Sequence, residues 1–182
     1  MFSLDAGAAV GLRRNIELKA RCRDLWSARA AAMGELTATE AGRFEQLDTY
    51  FHCHHGRLKL RETAGAASAE LIWYDRSNDA KVRPSDYRLA SIANPAELKA
   101  ALTDALGVRG EVRKRRQLLL WHNVRIHLDE VEGLGGFIEF EAVIAGDEDE
   151  ATAHERLDQL CRVLQLTPAD FLRESYSDLK GI

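Results

Sequence analysis

In several short segments of this chain, charged and apolar residues alternate one by one, and that alternation restricts the backbone before any other feature does. In Arg14-Asn15-Ile16-Glu17-Leu18-Lys19-Ala20-Arg21, the odd positions carry Asn, Glu, Lys and Arg, with Ile16, Leu18 and Ala20 between them. Gly56-Arg57-Leu58-Lys59-Leu60-Arg61 repeats the pattern with cations, and Phe137-Ile138-Glu139-Phe140-Glu141 with carboxylates. A helix would scatter these residues around its axis, whereas a strand sends alternate side chains to opposite faces, about 7 Å apart along each face. Three cations on one strand face repel one another, so an opposite charge or a bound anion must lie among them. The charged face therefore reads as a surface that holds a polyanion.

Composition sets the frame. The 182 residues suit one folding unit with a sizeable core, expected over 12–182 behind a flexible N-terminus at 1–11. The net charge of -4 argues against a nucleic-acid or membrane-surface partner, so the basic face must be local. Cys22, Cys53 and Cys161 are odd in number and lack C-x-x-C spacing, which fits a reducing, cytoplasmic setting. The start of the chain has neither a basic region nor a hydrophobic run of signal-peptide type. No stretch approaches the roughly 20 apolar residues of a membrane helix.

Eight strands are predicted, near 12–21, 44–52, 57–63, 70–76, 86–92, 108–120, 122–130 and 137–145. A first helix is expected from the cap Asp24 to Met33, ending at Gly34. Asn94, Pro95 and Gly107 punctuate a second. A third begins in the acidic run at 147–150 and carries Leu157, Leu160, Cys161 and Leu164 on one stripe. Thr167-Pro168 is expected to open a short helix toward Phe171 and Leu172, and 64–69 and 77–85 read as loops. Trp26 and Leu25 read as core, and Trp73 and Trp121 as packing outside the sheet. Consecutive strands of this kind predict an α+β fold: an eight-stranded antiparallel barrel, closed into a tunnel, with helices packed on its outside.

The residues in phase with the charged faces form two sets. The cations are Lys19, Arg21, Arg57, Lys59, Arg61, Lys114, Arg116 and Arg125, with Arg76, Lys81 and Arg88 beside them; the anions are Glu17, Asp129, Glu139 and Glu141. Carboxylates converging from separate strands suit hard divalent ions such as Mg²⁺ or Mn²⁺, and Arg and Lys in number suit phosphate oxygens. Together they describe a site for a metal-bound polyphosphate.

The order of these motifs resembles the CYTH superfamily, the triphosphate tunnel metalloenzymes. Asn15-x-Glu17-x-Lys19 resembles the family's N-terminal strand. Asp48-Thr49-Tyr50-Phe51 followed by Gly56 to Glu62 resembles its second and third, and Lys114-x-Arg116, Arg125 with Asp129, and Glu139-x-Glu141 follow in order. The resemblance implies that Glu17, Asp129, Glu139 and Glu141 hold one or two metals, with Asn15 beside them where the family has a further glutamate. It implies that Arg57, Lys59, Arg61, Lys114, Arg116 and Arg125 grip phosphate, with Arg21, Arg76 and Lys81 in support. Lys19, Glu17 and Asp129 would flank the reacting group. The phrase around Asn15 is similar to an adenylyl cyclase-like branch, as is Tyr176-Ser177-Asp178, which reads equally well as a surface helix end.

The expected substrate is a small triphosphate, whether inorganic triphosphate, thiamine triphosphate or ATP, with room left for a homodimer. Hydrolysis is the first expectation and cyclisation of ATP the second. A third is a module that binds polyphosphate without turnover, which Asn15 favours because it removes a charge. His52-Cys53-His54-His55 does not read as a zinc site, since alternation parts His52 and His54 from Cys53. His127, in phase with Arg125 and Asp129, reads either as a group that touches phosphate or shuttles a proton, or as a hydrogen-bonded lining residue.

Overall fold

The computed structural model describes residues 11–76, 82–145 and 149–182. Lys81 and most of the expected flexible N-terminus lie outside them. Eight strands form a closed antiparallel barrel: β1 (Arg13–Arg21), β2 (Thr39–Phe51), β3 (Arg57–Thr63), β4 (Ala69–Arg76), β5 (Arg83–Ile92), β6 (Val108–Trp121), β7 (Val124–Val131) and β8 (Gly135–Ile144). Their order around the barrel is β1-β5-β4-β3-β2-β6-β7-β8, and β8 closes onto β1 from Arg14↔Ile144 to Arg21↔Phe137. The helices are α1 (Leu25–Glu35), α2 (Pro95–Leu106), α3 (Glu150–Val163) and α4 (Tyr176–Lys180).

The alternation read in the sequence decides which way the barrel faces. Ile16, Leu18, Ile126, Leu128, Ile138 and Phe140 point outward and are at most 3% exposed, because α1 and α3 cover them with Ala28, Ala32, Leu157 and Leu160. Under α2, Leu98 and Leu102 cover Phe51, Leu60 and Ala69. The charged faces turn inward, since an apolar interior and a charged exterior would leave the helices nothing to bury against. Trp121 packs in the α1/α3 core, as expected.

Several expected boundaries differ. Helix α1 starts at its cap Asp24, which accepts from the Ser27 N–H, but runs past Gly34; the left-handed turn comes at Thr37, φ 58°. Trp26 is 75% exposed rather than core. Strand β2 begins at Thr39, five residues earlier than its polar sequence suggests, because it pairs with β6 through Thr39↔Leu120 and a bulge between Glu40 and Gly42. Arg88 is exposed, since Arg83, Ser85, Tyr87 and Leu89 are the inward positions of β5. Gly107 ends α2 as read, at φ 77°.

Thr167-Pro168 opens a turn, not a helix. Asp170 accepts from the Thr167 N–H and hydroxyl, and the chain then adds to the part of β1 that β5 leaves unpaired: Arg21 N–H donates to the Asp170 carbonyl and Leu172 N–H to that of Lys19. This extension delivers α4 into one end of the barrel. There Tyr176 packs with the inward residues Tyr50, Val112, Val131 and Phe137, backed by Leu172, Leu179 and Ile182. Gly110 permits the approach, since a Cβ there would lie 2.7 Å from Ile182.

Candidate active site

The lumen is a cavity of about 480 Å³, a size suited to a small ligand. Its cationic half comes from β2, β3 and β6. Register sets Asp48 opposite Arg61 and Tyr50 opposite Lys59, so all four side chains share the inner face. Asp48 is fully buried. Its carboxylate accepts from Arg61 Nε at 2.8 Å and Nη2 at 2.9 Å, from Lys59 Nζ at 2.9 Å and from Lys114 Nζ at 3.1 Å.

Burial opposes ionisation of Asp48, but the charges of Arg61, Lys114 and Lys59 outweigh it and hold the carboxyl well below its usual range. The cations are poorly served in return. Burial, then the charge of Arg61, pushes the Lys59 ammonium down to about 8; burial, then Arg116 and Arg61, pushes Lys114 well below the lysine range. Three buried cations around one carboxylate are short of negative charge, and phosphate oxygens would supply it.

The acidic half comes from β1, β7 and β8. Register aligns Lys19 with Glu139 and His127, and Glu17 with Glu141 and Arg125. Glu139 Oε1 lies 2.8 Å from Lys19 Nζ and Oε2 lies 3.1 Å from Arg116 Nη2. Burial opposes its ionisation, yet Lys19, His127 and Arg116 together keep it well below the usual range. Glu17 Oε1 meets Arg76 Nη1 at 3.1 Å and Arg83 Nε at 3.2 Å; burial, reinforced by Glu139 against the pull of Arg76, raises its carboxyl to about 7. Glu141 is more loosely held, with Arg125 Nη1 at 3.9 Å.

Asp129 is engaged on both oxygens. Arg116 Nε and Nη2 donate to it at 2.7 and 2.6 Å, and the Tyr176 hydroxyl donates at 2.8 Å. Lys19 Nζ lies 3.9 Å from the centre of the Tyr176 ring, a cation–π distance. The C-terminal helix thus takes part in the site, and the segment 176–178 is not a surface helix end.

The acidic half fits a divalent cation on its own chemistry. Among the described residues, buried Asn15 Oδ1 accepts no hydrogen bond and buried His127 Nδ1 makes none, and one ligand atom each from His127, Glu139 and Glu141 lies within 4.8 Å of the others. Oxygen donors and an imidazole facing one space suit such an ion.

Asn15, Glu17, Lys19, Lys59, Arg61, Arg76, Lys114, Arg116, Arg125, Glu139 and Glu141 all line this cavity. Three expected residues do not. Asp129, expected among the metal ligands, is buried behind the lining with both oxygens taken by Arg116 and Tyr176. Arg21 stands exposed at the end of β1, 5.3 Å from the Phe137 ring centre, and Arg57 donates to Asp178 of α4 at 2.7 Å. Asp48 and Arg83 are interior charged residues outside the expected site set. Asp48 was legible as a lone carboxylate in phase with Gln46 and Tyr50. Arg83 lay in a stretch that Pro84 and its polar neighbours made read as a loop.

Comparisons with known proteins follow the same outline. A family model described as the CYTH domain matches residues 13–176. A candidate adenylate cyclase of Methanocaldococcus jannaschii is 28% identical over 71 residues, which is 39% of this chain and 41% of that curated relative. Among solved structures, a Pyrococcus horikoshii protein superposes with a TM-score of 0.80 at 23% identity, covering 91% of this chain and 98% of its own. A Hippeastrum protein, named a candidate adenylyl cyclase with a dominant triphosphatase activity, superposes at 0.61 with 16% identity, covering 92% and 93%.

Proposed function

The chain belongs to the CYTH domain family, and on that premise we propose that it is a divalent-metal-dependent enzyme of triphosphate substrates whose reaction is hydrolysis of an inorganic or organic triphosphate. One observation carries the reading: Lys59, Arg61 and Lys114 share the single buried carboxylate of Asp48, across the same cavity from Glu17, Glu139 and Glu141. A string of phosphates answers both halves at once.

In this reading Lys59, Arg61, Lys114, Arg116, Arg125 and Arg76 bind phosphate oxygens, and their fixed positions provide preorganised charge where the transferring phosphoryl group needs it. Lys19, held by Glu139 and the Tyr176 ring, orients the attacked end. Asp129 acts by fixing the Arg116 guanidinium and is a positioning residue. Glu17, Glu139, Glu141 and Asn15 would hold Mg²⁺ or Mn²⁺. Such an ion, when bound, supplies Lewis acidity at a phosphoryl oxygen and lowers the pKa of an attacking water. The triphosphatase named for the Hippeastrum neighbour accords with this choice.

A second reading, cyclisation of ATP with release of pyrophosphate, draws on Phe44, Tyr87, Leu89 and Leu118, which give the same cavity an apolar wall able to take a base. A product assay separates the two. The purified protein is given inorganic triphosphate, thiamine triphosphate and ATP with Mg²⁺ or Mn²⁺. Orthophosphate release is the expected result; cyclic AMP with pyrophosphate selects the second reading. No turnover with either ion rejects both and leaves a polyphosphate-binding module.

A further inference from the structure

His127 lies on β7 directly across from Glu139, on the inner face, and only 4% of it is exposed. Its Nδ1 faces Glu139 Oε2 at 3.7 Å and Glu141 Oε1 at 3.8 Å. Neither distance is a hydrogen bond, and Nδ1 has no hydrogen-bond partner among the described residues. A buried imidazole nitrogen left unpaired is destabilising, so a structural lining role leaves this atom unexplained. If Nδ1 carries a proton, both carboxylate oxygens stand beyond hydrogen-bond distance from it. If it carries the lone pair, it faces two carboxylate oxygens and nothing positive between them.

A cation among the three atoms resolves both cases. One ion with bonds of roughly 2.0–2.2 Å can bridge ligand atoms up to about 4 Å apart, which the two measured separations satisfy. Glu141 has lone pairs to offer, since Arg125 stands no closer than 3.9 Å. Glu139 already accepts from Lys19 and Arg116, so it can contribute only part of its charge to an ion. The imidazole supplies the donor that the partly engaged carboxylate lacks.

We infer that His127 is a metal ligand through Nδ1, and that the His127, Glu139 and Glu141 set favours a first-row transition ion over Mg²⁺. The reason is ligand chemistry. Mg²⁺ favours oxygen donors and keeps its water, while later divalent ions gain from an imidazole nitrogen. The inference deepens the proposed function and rests on it only in taking Glu139 and Glu141 to face a metal.

The test uses the full-length protein and metal alone. With Mn²⁺ bound, pulsed electron paramagnetic resonance should show the hyperfine modulation of a coordinated ¹⁴N imidazole nucleus. In His127→Gln that modulation should vanish, and the Mn²⁺ dissociation constant, measured by calorimetry, should rise about 10–100-fold. Mg²⁺ binding should change far less, because the carboxylate oxygens remain. Absence of nitrogen coupling in the unmutated protein overturns the inference even if the variant does not fold. An equal loss for both ions overturns the selectivity. Nitrogen coupling in a protein that turns over no triphosphate would keep this ligand assignment and sink the hydrolytic reading.

Discussion

Asp48 is the residue on which the cationic half of the lumen depends. Removing its charge leaves Lys59, Arg61 and Lys114 buried around a neutral group, and stranding buried charge in this way costs about 3–5 kcal/mol. Asp48→Asn should therefore lower the unfolding free energy obtained from urea titration by that amount. Saturating inorganic triphosphate should recover more stability in the variant than in the unmutated protein; equal recovery would show that the ligand does not reach these cations. Lys59 gives a pH signature. Its folded-state value of about 8 lies below the 10.5 of a free lysine, so protein without ligand gains stability as pH rises from 8 through 10.5 and loses that contribution as pH falls through 8. The groups facing it are Asp48 and Tyr50 on β2, Arg61 on β3, Tyr74 on β4, and Lys114 and Arg116 on β6. A bound anion favours the charged ammonium. Through Lys59, triphosphate affinity should hence fall as pH rises above 8, by at most about tenfold per pH unit for one proton. Calorimetric titrations between pH 7 and 10 would read this, and an affinity that stays level to pH 10 would remove Lys59 from the grip.

Among the elements, α4 shows how far a short helix can matter when it is aimed inward. Its Ser175 and Asp178 form a reciprocal capping box, Gly181 closes it at φ 73°, and Tyr176 enters the lumen. Tyr176→Phe keeps the ring but removes the donor to Asp129, and a buried hydrogen bond to a carboxylate is worth roughly 1–3 kcal/mol. We expect a loss of that size in chemical unfolding and weaker triphosphate binding through a less constrained Arg116. Unchanged values for both would mean that the hydroxyl does not reach Asp129 in solution. The strands differed in legibility for a local reason. β1, β3 and β8 alternate cleanly because each pairs charge inside with apolar residues under a helix. The first residues of β2 and the start of β5 carry no such signal, since Thr39-Glu40-Ala41-Gly42 and Arg83-Pro84 become strand only by pairing with β6 and β1. The path of 170–172 along β1 is likewise set by an edge that β5 leaves open, which no local propensity records.

For the whole molecule, a barrel with ions inside and apolar residues outside reverses the usual arrangement, and it stands because helices cover the outside while opposite charges meet within. No helix among the described residues is long and apolar enough to cross a membrane. A ligand that completes the interior should stabilise the entire fold. Inorganic triphosphate at about 100 times its dissociation constant adds roughly 2.7 kcal/mol, or a rise in Tm of about 5–11 °C for a chain of this size. Orthophosphate at the same concentration should give much less, and equal shifts would contradict a multi-phosphate site. The strand pattern, the two chemical sets and the family resemblance can be read directly along the chain, because side-chain alternation is a property of the extended backbone and survives without neighbours. It took the folded barrel to show that Asp48 serves three cations, that Asp129 is occupied by Arg116 and Tyr176, that Arg57 turns to α4 while Arg21 stays outside the cavity, and that His127 Nδ1 makes no hydrogen bond among the described residues. Those facts depend on strand register and closure, where one residue's electrostatic state is set by side chains tens of positions away.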